Sequence, residues 1–182
     1  ILYSLNARKI RPEDSISPHG SSQYGPWPYE QVNAASPNCY GYALGIRQTL
    51  NPGSYAGYSL PSYPNELDVY QIADYVNKDM VETFRGGARQ VSYQKTINSW
   101  EWRIATRVGY AKIVDNNGNV VDILRDYHFW LQTSTGTWCH KPGQTPSVHL
   151  GNIRPDTASW DLGNLKNFYN SPTIYMALYR MD

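Results

Sequence analysis

Two stretches of the chain carry residue types able to do covalent chemistry. The first is Ser36-Pro37-Asn38-Cys39-Tyr40-Gly41-Tyr42-Ala43-Leu44. Cys39, Ala43, Ile46 and Leu50 recur at helical spacing, which predicts one buried stripe on a helix from Cys39 to Leu50. Ser36 or Asn38 offers the short oxygen-bearing side chain that caps the orphan N–H groups of a first turn. A cysteine placed there is where a thiol, ordinarily near pKa ~8.5, is lowered by the helix end and a nearby imidazolium, and the thiolate is the nucleophile. The second stretch is Asp126 to Gln132 and Thr137 to Lys141, joined by Ser134-Thr135-Gly136. A type I turn with glycine in the left-handed position is a common three-residue hairpin connection. With that loop Gln132 opposes Trp138 and Trp130 opposes His140. Alternation then sends His128, Trp130, Gln132, Trp138 and His140 to one face and Cys139 to the other. His128 lies diagonally from His140 within side-chain reach, the arrangement of a base beside the group that orients it.

The elements that must position these groups follow from pattern. Gly41 and Gly45 would weaken a helix by about 1 kcal/mol each, a cost tolerated where another backbone approaches closely. Asn51-Pro52-Gly53 stops the first helix, and a second is expected from Asn65 to Met80. Glu66 and Asp68 fall in its opening turn, where carboxylates favour the dipole, and Val69, Ile72, Val76 and Met80 form its apolar stripe. After Gly86-Gly87 the pattern turns to strands. Ile104 to Val114 is closed by Asn116-Asn117-Gly118, Val120 to Ile123 follows, and Thr173 to Arg180 is the last, with Ile174, Met176 and Leu178 facing one way. Residues 1–37 form an extended arm, interrupted by Pro12, Pro18, Pro26, Pro28 and Pro37, since proline lacks the N–H of a helix or central strand. Helices followed by an antiparallel sheet give an α+β fold in one domain, 1–182.

Composition narrows the function classes. With 182 residues, 17% charged and 14% aromatic, including 16 Tyr and 6 Trp, the chain has the makeup of a folded domain rather than of a disordered segment. A net charge of +1 with scattered Lys and Arg argues against a nucleic-acid groove. No apolar run approaches the ~20 residues of a membrane span. The start at Ile1-Leu2-Tyr3 suggests a processed product or an excised fragment, and the Tyr, Asn, Ser and Gly content suggests a secreted or exported protein, expected as a monomer. No cofactor is expected. Cys39 and Cys139 are expected as free thiols, because alternation separates them and so opposes a disulfide. The same parity, with no CxxC or HxxxH spacing, opposes a zinc site made of Cys39, His128, Cys139 and His140. His19 and His149 read as surface residues.

The Asn38-Cys39-Tyr40-Gly41-Tyr42-Ala43-Leu44 stretch, with Asp126-Tyr127-His128-Phe129-Trp130 and Trp138-Cys139-His140-Lys141-Pro142-Gly143, resembles the papain-like cysteine hydrolases, in particular their NlpC/P60-like branch. The likeness runs in order from Cys39 to Gly143, about half the chain, and is found in bacterial proteins, where a toxin or effector is one form. Residues 40–127 form a longer insertion than in the smallest peptidoglycan hydrolases. The resemblance implies Cys39 as nucleophile, His128 as base and His140 as the residue that orients it. The oxyanion would meet the Cys39 N–H and a side-chain donor from the arm, with Tyr29, Gln31, Asn33 and Asn38 the candidates and Trp130 and Trp138 beside the substrate. Asp126 is a less well placed alternative orienter. The activity implied is hydrolysis or acyl transfer at an amide of a peptide, protein or peptidoglycan-like substrate. The other readings are a small core cysteine with structural histidines, and a non-catalytic Tyr/Trp-rich module that binds glycans or a cell surface.

Overall fold

The computed structural model describes residues 21–181; the first part of the expected arm, with Pro12, Pro18 and His19, lies outside them. The fold is α+β. Its order is β1 (Ser21–Ser22), α1 (Cys39–Leu44), α2 (Val69–Phe84), β2 (Gly87–Val91), β3 (Ile97–Asn98), β4 (Trp102–Val114), β5 (Val120–Gln132), β6 (Trp138–His140), β7 (Val148–Gly151) and β8 (Ile174–Tyr179). Six strands form an antiparallel sheet in the order β2-β8-β4-β5-β6-β7, and β1 pairs with β3 separately.

Both helices differ from their sequence-predicted bounds. α1 stops at Leu44 rather than Leu50, because Gly45 enters the left-handed region at φ 73° and its N–H turns back to Tyr42 O. Ile46 and Leu50 still pack on the core, from the returning chain. That chain also explains Gly41: a Cβ there would lie 2.1 Å from Gln48 O. α2 begins at Val69, since the Asp68 carboxylate caps it by accepting from Tyr70 N–H at 2.9 Å, and Glu66 lies before it. Val120 to Ile123 is the first part of one long strand, β5, which pairs with β4 as a hairpin closed at Asp115–Asn119. His149 sits on β7, a strand unanticipated in the sequence, with an exposed side chain.

The sheet's two faces differ in chemistry. One carries Trp102, Ile104, Val108, Phe129, Leu131, Cys139, Ile174, Met176 and Leu178 against α1 and α2. The other buries Val91, Ala105, Trp130, Trp138, Tyr175 and Ala177 with Ile97 of β3 and, partly buried, Trp160. Arg103 and Arg107 are buried as well, held by Gln132 Oε1 at 2.8 Å and Pro155 O at 3.0 Å. The segment 154–172 lies over this second face; a Cβ at Gly109 would sit 2.4 Å from Phe168. Among the described residues no helix is long and apolar enough to cross a membrane.

Candidate active site

Asn38 is the N-cap of α1. Its Oδ1 accepts from Gly41 N–H at 3.0 Å, and its Nδ2 donates to Leu50 O and to Tyr127 Oη. Cys39 opens the helix, buried to 6% exposure, against the β5 backbone. On β5 and β6 the hairpin takes the register read from the sequence, Gln132 opposite Trp138, with Gly136 at φ 84°. Pairing between these strands runs only from Gln132↔Trp138 to Leu131↔Cys139. Past it lies a cavity of about 440 Å³ lined by Asn38, Cys39, Asp126, Tyr127, His128, His140, the 142–143 turn, Trp160–Gly163 and Tyr169. The nucleophile candidate and both histidines therefore share one cavity.

His128 Nε2 lies 2.6 Å from His140 Nδ1. That bond occupies one ring nitrogen of His128 and leaves Nδ1 for a thiol or a substrate. Packing fixes the rings. His128 stands edge-on to Trp130 at 4.7 Å and beside Tyr169 at 5.6 Å, and His140 stacks parallel to Trp130. Burial, together with the mutual proximity of the rings, holds His128 well below the usual histidine range, and burial lowers His140 to about 4. Both imidazoles are neutral at pH 7.

The thiol does not follow the sequence expectation of an acidified cysteine. Burial, and secondarily the Asp126 carboxylate, push Cys39 up to about 12, against the pull of the N–H groups of Phe129, Tyr40 and Cys39 itself. A six-residue helix beside two neutral imidazoles supplies too little positive potential to offset desolvation. The resting pair is thus thiol and imidazole, and no hydrogen bond yet joins Cys39 Sγ to either ring.

Other sequence-assigned residues fall elsewhere. Tyr29 and Gln31 line a second cavity of about 690 Å³ together with Trp27, Tyr42 and Arg47. They are tied to Ser147, and Gln31 also bonds the exposed Asn33. Trp130 and Trp138 are fully buried, as core of the second face rather than a substrate platform. Asn38 borders the cavity with its side chain committed to the cap and the Leu50 tether. Cys139 is a free thiol like Cys39 and packs on the face opposite His140, where Tyr42 Oη donates to its sulfur at 3.6 Å.

Three neighbours escaped the sequence reading. Tyr169 donates to Asp126 Oδ2 at 2.8 Å, and Trp160 lies over His140. Both come from an irregular segment with no periodicity to place it. Lys141 is fully buried, donates to Ala35 O and Gly143 O at 3.1 Å each, and lies close enough to Cys39 for their charges to interact. Its only signal was its position directly after His140. Among the described residues no group of three or more His, Cys, Asp or Glu side chains is arranged to hold a metal ion. No family model, curated protein or solved structure matches this chain.

Proposed function

We propose that the protein is a thiol-dependent hydrolase or acyl-transfer enzyme acting on an amide bond, with Cys39, His128 and His140 as its relay. The observation that carries this reading is one cavity joining a helix-opening cysteine to a histidine whose far nitrogen is held at 2.6 Å by a second histidine. A helix-borne cysteine beside histidines on two neighbouring strands also supports the resemblance to papain-like enzymes of the NlpC/P60-like branch. The binding-module reading draws on the second cavity, with Trp27, Tyr29 and Tyr42 in its wall.

The chemistry follows from the protonation states. The relay uses the tautomer in which His128 donates Nε2–H to His140 Nδ1, which leaves a lone pair on His128 Nδ1. As Cys39 Sγ attacks the carbonyl carbon, Nδ1 takes the thiol proton, so no preformed thiolate is needed. The imidazolium formed is stabilised through His140, then passes the proton to the departing amine as the C–N bond breaks. Water, deprotonated by His128, cleaves the thioester to a carboxylic acid and returns the proton to sulfur. An amine in place of water gives transfer. A neutral electrophile tests this: iodoacetamide should label Cys39 faster than Cys139 at pH 7.5, and His128→Gln should slow Cys39 tenfold or more. Equal, slow labelling of both cysteines that ignores His128 would overturn the relay.

A further inference from the structure

We propose that the cavity accepts a cationic group of the substrate, an ammonium or guanidinium, and that Asp126 is the residue that selects it. The inference rests on the hydrolase reading and names the substrate class for that cavity.

The observations are the lining and its charges. Among the described residues, no lysine or arginine lines the cavity. Of its two carboxylates, Asp161 is already compensated: Lys166 Nζ lies 3.1 Å from Oδ2, and Asn167 N–H donates to Oδ1 at 2.7 Å. Among the described residues, Asp126 has only neutral donors, Tyr169 Oη and the Tyr127 N–H, each at 2.8 Å. It shares the strand face of His128 two residues away and lies near enough to Cys39 to disfavour its thiolate. A half-buried carboxylate with no counter-ion among the described residues is an unfavourable arrangement, which a bound cation reverses. Its own environment agrees, since burial holds the Asp126 carboxyl above the usual range. An arriving cation would compensate Asp126 and remove its opposition to negative charge on Cys39. The correct substrate would thus raise the reactivity of the sulfur that attacks it.

The test uses three methanethiosulfonates on the intact protein: methyl (neutral), 2-(trimethylammonio)ethyl (cationic) and 2-sulfonatoethyl (anionic). Each forms a mixed disulfide with cysteine and expels methanesulfinate. Rates at Cys39, located by peptide mass, are divided by each reagent's rate with N-acetylcysteine. The expected cation-to-anion ratio at Cys39 is at least tenfold, falling close to one in Asp126→Asn, which keeps the oxygen that accepts from Tyr127 N–H. The neutral reagent should label Asp126→Asn several-fold faster than wild type. A wild-type ratio near one, a ratio unchanged in Asp126→Asn, or no reaction of Cys39 with any reagent would overturn the proposal. A flat ratio with labelling that still depends on His128 defeats the cation inference alone. A steep ratio that ignores His128 defeats the relay and leaves the cation site standing.

Discussion

Two carboxylates withdrawn from solvent, Asp79 fully buried and Asp126 half-buried, meet desolvation in opposite ways. Asp79 on α2 is fully buried and accepts from Tyr40 Oη at 2.5 Å, Gly53 N–H at 2.7 Å and Ala56 N–H at 3.0 Å. Those bonds pin α1 and the 51–57 turn to α2. Asp126 on β5 has two neutral donors and otherwise faces a cavity shared with a thiol and two imidazoles. Burial raises both above the usual carboxylate range. Where donors converge, a buried charge ties the chain together; where they are fewer and space is left, it is available to a ligand.

The largest effect should break or confirm that contrast. Asp79→Ala strands a hydroxyl and two N–H groups in the core, so a loss of about 3 kcal/mol or more is expected. Asp126→Asn keeps an acceptor for the Tyr127 N–H and should change stability by less than about 1 kcal/mol. Urea denaturation of the two variants reads the difference directly. Equal losses would mean that Asp126 is as structural as Asp79.

The histidine pair sharpens the same contrast through pH. His140 is lowered from 6.5 to about 4, and His128 is lowered too, so between these values the unfolded chain binds more protons than the folded one. The pair's contribution is full above pH 6.5 and is lost as pH falls through about 4, worth roughly 3 kcal/mol for His140 at 1.36 kcal/mol per unit. Asp79 and Asp126 act with the opposite sign. Their raised folded values favour the folded state in acid, and that contribution is lost as pH rises through them. Thermal melts between pH 7 and 4 should therefore fall for wild type and fall less for His140→Gln. Parallel curves would show that the ring is not buried neutral.

Lys141 comes next. Lys141→Met leaves Ala35 O and Gly143 O without their donor and removes the cation near Cys39. Some of the loss is offset because a buried charge is no longer desolvated, so about 1–2 kcal/mol is expected. Iodoacetamide labelling of Cys39 should slow several-fold while that of Cys139 holds. Slowing of both cysteines alike would assign Lys141 to general stability.

What was legible in the sequence was what local geometry decides. Strand alternation and a three-residue loop were enough to put His128 and His140 on one face, and a short polar residue before Cys39 marked the helix start. The left-handed turn at Gly45 escaped because the stripe of Ile46 and Leu50 continues past it; those side chains reach the core from a returning chain that mimics helical spacing. Trp130 and Trp138 fall beside the substrate in the sequence reading because alternation gives a face and not its cover. The cover is the irregular 154–172 segment, which also brings Tyr169 to Asp126. The sign of the Cys39 shift was missed for a related reason: a helix end is visible in sequence, whereas the burial that outweighs it belongs to the assembled fold.

The smallest effect expected, and the most discriminating at the nucleophile, concerns Asn38. Its Oδ1 caps α1 while its Nδ2 ties the helix start to Leu50 O and reaches Tyr127 Oη. Asn38→Ala removes both functions and should cost about 1 kcal/mol, within the range of N-cap losses. Asn38→Asp keeps the cap and replaces the donor by a second carboxylate beside Cys39. Its stability should stay within a few tenths of a kcal/mol of Asn38→Ala or above it, since the carboxylate suits the helix start. Labelling should separate the two variants in the reverse direction. Asn38→Asp should react more slowly with iodoacetamide than Asn38→Ala, because added negative charge opposes the developing thiolate as Asp126 already does. Loss of labelling that simply tracks loss of stability in both variants would mean that the cap holds the helix without tuning the sulfur.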